Sequence, residues 1–119
     1  MGQVNKRARA CNIPRRVKAA VWERDGGECV ICHSSNAAPN AHLIRRSRGG
    51  LGVEQNILTL CGKCHDKYDS GRQDETDELY CWLKAYLMSQ YPGWNEKRLV
   101  YNKFAYMDES ALDIWPKGD

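Results

Sequence analysis

Apolar residues recur at helical or strand spacing in four places along the chain. Val17, Ala20 and Val21, continued by Arg24, fall at three- and four-residue steps. Pro14 suits the first turn of that helix, with Asn12 or Ile13 as cap, and Asp25-Gly26-Gly27 ends it, since glycine accepts the left-handed closing conformation. Ala41 to Arg45 reads as a short strand, Arg46 to Gln55 as a loop rich in Arg, Ser and Gly, and Ile57 to Leu60 as a second strand, apolar with a β-branched start and middle. Cys61 to Ser70 reads as a helix stopped by Gly71.

A longer helix is expected over about Thr76 to Gln90, where Leu79, Trp82, Leu83, Tyr86 and Leu87 form one apolar stripe. Asp74, Glu75, Asp77 and Glu78 gather at its start and complement the helix dipole. Tyr91-Pro92-Gly93 breaks it, and Asn95 to Phe104 reads as another short helix. The pattern is that of one α+β domain over 12–106. A two-strand and helix core covers about 38–71 and a helical extension 74–106, flanked by a basic flexible arm at 1–11 and an acidic tail at 107–119.

Length agrees with a single domain: 119 residues bury only about two-thirds of the unfolded surface, so an added staple is expected. No apolar run approaches the roughly 20 residues that span a bilayer, and the basic start of the chain has no apolar segment behind it. Cytoplasmic residence and no membrane partner are therefore expected. Charge is unevenly spread. Residues 1–50 hold ten Lys/Arg against three Asp/Glu, a balance of +7. Residues 51–119 hold eight against twelve, −4, giving the net +3. Such asymmetry suits a basic face for a polyanion.

Cysteine changes the picture most. With no export signal, six cysteines are expected to stay reduced. Four of them form two Cys-x-x-Cys pairs, Cys29/Cys32 and Cys61/Cys64. Two residues between thiols let both sulfurs turn toward one ion, and two such knuckles fill a tetrahedral site with no open position. The expectation is structural Zn2+, with an iron–sulfur centre or two disulfides as alternatives. Cys81, on the long helix, is read as a small buried apolar residue, and His33 as a surface residue.

The spacer between the pairs, residues 33–60, holds His42 and Asn56, and His65 follows Cys64 directly. A zinc clamp brings these distant positions together. Arg45, Arg46 and Arg48 beside them are the expected nucleic-acid-binding residues.

The order Cys29-x-x-Cys32, Ala41-His42, Asn56, Cys61-x-x-Cys64-His65 resembles the HNH endonuclease family, in its small phage and bacterial type with a zinc frame. The resemblance covers residues 14–71. It implies a ββα-metal (His-Me finger) fold and a metal-dependent DNA endonuclease, a phosphodiester hydrolase acting in a bacterial or phage-infected cell. His42 would be the general base, Asn56 would hold the loop and orient that base, and His65 would ligate a catalytic divalent ion, Mg2+ or Mn2+. DNA would be the partner, alongside phage packaging machinery. Ala41 stands where the family commonly places a metal ligand, which leaves Asn40, Asp66 or Asp69 as further donors. It also motivates the alternative of a zinc-stabilised DNA-binding module without catalysis.

Overall fold

The computed structural model describes residues 6–102. Four helices, α1 (Lys6–Cys11), α2 (Arg15–Arg24), α3 (Gly62–Ser70) and α4 (Gln73–Gln90), surround a two-stranded antiparallel sheet of β1 (Ala37–His42) and β2 (Ile57–Cys61). The architecture is α+β, and the sheet is its middle layer. All five residues of β2 are buried. Ile57 packs with Val17 and Val21 of α2. Leu58 and Leu60 join Leu43, Tyr68 of α3, and Leu83 and Leu87 of α4 in the larger core. A strand covered on both faces has no use for alternation, which is why Ile57 to Leu60 carries no polar side chain except Thr59.

β1 begins four residues earlier than its composition suggests. Ala37 pairs with Cys61 and Ala38 with Leu60, then the register slips before Ala41 meets Leu58 and His42 meets Ile57. One extra residue on β1 is taken up around Pro39 and Asn40, a bulge that suits a residue without an N–H. The bulge sets the faces beyond it: Ala41 and Leu43 turn into the core, and His42 turns outward beside Asn40.

The loop from 43 to 56 is closed from within. Asn56, fully buried, accepts from the Ile44 amide (2.9 Å) and donates to the carbonyls of Ile44 (3.2 Å) and Leu51 (2.9 Å). Gly50 lies so close to the chain that a Cβ there would stand 1.6 Å from the Ile44 carbonyl oxygen. Leu51 N–H donates to Leu99 and Gly52 N–H to Ala10, so the loop is held between α1 and the turn at Glu96–Leu99.

Several expectations shift. Lys6–Cys11, expected within a flexible arm, is helical and buries Cys11. Cys81, expected to be buried, is exposed. The short helix expected from Asn95 is a 3-10 turn as far as the described residues reach, and the acidic tail at 107–119 lies outside them. Trp82 sits at the edge of the α4 stripe, half in solvent, stacked on Tyr86.

A buried ion pair locks these layers together. Asp25, at the end of α2, accepts from Arg24, from Tyr86 Oη of α4 (2.6 Å) and from the Thr59 amide of β2 (2.9 Å). Arg24 also donates to the carbonyls of Glu54 and Ile57.

Candidate metal centre

The first knuckle is a tight turn after α2. Gly26 and Gly27 both adopt positive φ and reverse the chain out of the helix. Cys29 N–H then donates to Ser34 O and His33 N–H to Cys29 O, both at 2.9 Å. His33 closes the turn with φ +66, and its Nδ1 lies 2.6 Å from Glu28. Val30 N–H donates to Thr59 O, which ties the knuckle to β2. The second knuckle is the junction of β2 and α3: Cys61 is the cap of α3, and its sulfur accepts from Cys64 N–H at 3.4 Å. Cys29 Sγ accepts from Cys32 N–H in the same way, at 3.5 Å.

The four sulfurs of Cys29, Cys32, Cys61 and Cys64 lie within 4.8 Å of one another, with Cys32 and Cys61 at 3.5 Å. Sulfurs arranged tetrahedrally about an ion at about 2.3 Å stand about 3.8 Å apart. The observed spread therefore closes on an ion with side-chain adjustments alone. The four thiols form a set that could hold one metal ion, the clustering expected from the spacing. Burial resists ionisation of Cys29, yet backbone N–H groups of Cys32, Cys61 and Ile31 outweigh it and bring that thiol down to about 7. Burial, then the neighbouring thiols Cys61, Cys29 and Cys32, push Cys64 well up. A cation that replaces these protons relieves that conflict, and its affinity falls as pH falls.

Beside the centre, a cavity of about 700 Å³ is lined by Asn12, Lys18, Asn40, His42, Arg45, Arg46, His65 and Asp69 among others. His42 and His65 thus share a cleft. His42 Nε2–H donates to Cys11 O (2.8 Å), and His65 Nε2 lies 3.2 Å from Asp69. Burial, with Arg46 and His65 nearby, holds His42 below its ordinary value against the opposing pull of the Cys11 carbonyl. Arg45 donates to Tyr68 O, and Arg46 to Cys11 O and the Asn12 side chain, so both are engaged within the protein. Arg48 lies apart, at a smaller cavity beside Tyr80 and Glu96. Asn56 spends its amide on the loop backbone.

Residues 24–70 match the family described as "Doubled CXXCH motif". The chain is also 38% identical, over 58 residues, to Anaredoxin of a Nostoc species; the match covers 48% of this chain and 76% of that protein. No solved structure matches.

These findings overturn the resemblance to HNH endonucleases, and with it the expected phosphodiester hydrolase, the nuclease and phage setting, and the alternative of a DNA-binding module. The roles carried over to His42, Asn56 and His65, and the catalytic Mg2+ or Mn2+ ion, rested on that resemblance and lose their ground. The signal passed over was His33. Cys29-Val30-Ile31-Cys32-His33 and Cys61-Gly62-Lys63-Cys64-His65 are the same pattern written twice, and reading His33 as mere surface hid the repeat.

A Cys-x-x-Cys-His motif is also the attachment signature of a c-type haem. The residues do not fit that group. Two haems would need two separated thiol pairs, each with its histidine free to reach iron. Here the pairs converge on one another, His33 is engaged with Glu28, and His65 with Asp69. Four converging thiols suit one metal ion.

Proposed function

The chain belongs to the anaredoxin family, and on that premise we propose that it is a small redox-type metal protein. One ion is held by Cys29, Cys32, Cys61 and Cys64. The observation that carries this reading is the convergence of the four sulfurs within 4.8 Å. A thiolate set suits iron or zinc among the common ions. Iron, when bound, supplies one-electron chemistry. The chain's own part is to set the environment. The amides of Cys32 and Cys64 point at sulfur and favour negative charge there. Val30, Leu60, Tyr68, Leu83 and Leu87 exclude water from one side, and the exposed Cys32 leaves the other side open to a partner. Reduced thiols require a reducing compartment, which favours the cytoplasm.

A second reading is structural zinc. It is favoured by the position of the centre, which joins the turn after α2 to the start of α3 across a 28-residue spacer, 33–60. Anaerobic loading with Fe2+ or Zn2+, metal analysis and voltammetry separate the two. The redox reading expects one iron per chain, thiolate-to-iron absorption and a reversible one-electron wave. A chain that takes zinc but gives no reversible wave with iron supports the second reading, and a chain that holds neither ion overturns both.

A further inference from the structure

The four thiols are not equivalent toward solvent. Cys29 and Cys61 are buried and Cys64 half-buried, whereas Cys32 is exposed. Cys29 and Cys61 sulfurs are further held by amide N–H groups of their own knuckles. Across the knuckles the Cys61 sulfur stands 3.5 Å from that of Cys32, within the 4.8 Å that encloses all four sulfurs. A reagent arriving from water therefore meets Cys32 first, and the thiol placed to answer at that sulfur belongs to the other knuckle.

We infer that Cys32 is the site at which hydroperoxides open the metal centre, and that the product is a disulfide between Cys32 and Cys61. This rests on the four-thiolate reading above. The Cys32 thiolate attacks the terminal peroxide oxygen, the O–O bond breaks, and hydroxide leaves from hydrogen peroxide or alkoxide from an organic hydroperoxide, giving a sulfenic acid. The Cys61 thiolate then attacks the Cys32 sulfur, the S–O bond breaks, and hydroxide leaves as the S–S bond forms. Two electrons pass from two thiolates to one hydroperoxide. Only Cys29 and Cys64 remain as sulfur donors, and the ion departs.

The choice of partner has a structural consequence. Cys32 belongs to the turn after α2 and Cys61 to the junction of β2 and α3. A bond between them keeps joined the two segments that the ion had joined. A bond within either Cys-x-x-Cys pair would leave the knuckles with neither a metal nor a covalent link. The oxidised chain therefore keeps its sheet and its paired knuckles, and a thiol reductant with added zinc restores the centre.

The test uses the full chain loaded with zinc. Metal analysis first establishes one zinc per chain; failure there strikes the metal reading itself and leaves no loaded sample to oxidise. Limiting hydrogen peroxide is then added, zinc release is followed with a chromogenic chelator, and disulfides are mapped by mass spectrometry without reduction. The Cys32–Cys61 cross-link is expected to appear at the rate of zinc release. Limiting iodoacetamide is expected to mark Cys32 before the other three ligands. Zinc release from Cys32→Ser is expected to be at least tenfold slower. Should that variant fail to hold zinc, the mapping of the unmodified chain decides. A dominant Cys29–Cys32 or Cys61–Cys64 disulfide, or alkylation of Cys64 ahead of Cys32, overturns the inference.

Discussion

Replacing Asp25 with alanine removes the one carboxylate that three layers share. Its side chain is fully buried and that of Arg24 is 9% exposed. Asp25 accepts from Arg24 Nε at 2.7 Å and Nη2 at 3.0 Å, from Tyr86 Oη at 2.6 Å and from Thr59 N–H at 2.9 Å. Burial opposes the Arg24 charge, and Asp25 foremost, with Tyr91, more than offsets it. Without the carboxylate, a buried guanidinium loses its counter-charge and a strand amide loses its acceptor. Breaking a buried pair from one side costs about 3–5 kcal/mol. An orphaned buried amide costs about 1–3 kcal/mol. Because the cavity left by alanine lets water approach both groups, the two costs overlap, and a loss of about 4 kcal/mol is expected. With a urea slope of about 1.5 kcal/mol/M, the unfolding midpoint of the zinc-loaded chain should fall by about 2–3 M. The double replacement Arg24→Met with Asp25→Leu removes both charges and should recover more than half of that loss. A loss under about 1 kcal/mol for Asp25→Ala, with the fold retained by circular dichroism, would refute the reasoning.

Gly50→Ala drives a methyl group into the Ile44 carbonyl and should cost about 3 kcal/mol by chemical denaturation, at the upper end of overpacking. Gly62→Ala meets open space and should change stability by less than about 0.5 kcal/mol. The His42 imidazole should titrate below its ordinary value of about 6.5 by NMR, because burial disfavours its charged form. With the folded value below the unfolded one, its contribution to stability is present above about pH 6.5 and is lost as pH falls through the folded value. Zinc-saturated wild type should therefore lose more stability between about pH 7 and 5 than His42→Gln. An unshifted or raised His42 titration contradicts this.

Much of the scaffold is legible in the residues. The glycine pair after α2, the apolar run of β2 and the Leu79–Leu83–Leu87 spacing of α4 each name their element, because burial on a defined face leaves a period in the sequence. What is not legible depends on tertiary contact. β1 starts at Ala37 because its backbone has Cys61 as a partner; Ala, Pro and Asn carry little strand preference of their own. α4 starts at Gln73 after Arg72, which makes no side-chain cap bond and gives no signal. α1 is a polar segment settled by bonds from Arg7 to Ser47 O and from Gly52 N–H to Ala10 O.

The centre itself follows from the spacing of Cys29, Cys32, Cys61 and Cys64, since two short knuckles in a small chain have one economical arrangement. Cys81 could also have been placed correctly. Two residues from both Leu79 and Leu83 is about 200° around a helix, so it faces away from the stripe they define. Function was the part most easily misread. A histidine, an asparagine and a basic loop between two thiol pairs satisfy one pattern by order alone, while the repeat of Cys-x-x-Cys-His satisfies another with the same residues.

X-ray absorption at the metal edge, on the full chain loaded with one equivalent of zinc or iron, reads the donor shell directly. Four sulfur scatterers at about 2.3 Å, with no nitrogen and one ion per chain, are the expected result. A shell containing imidazole nitrogen from His33 or His65, or two ions divided between the cysteine pairs, would contradict the claim that both knuckles close on a single ion.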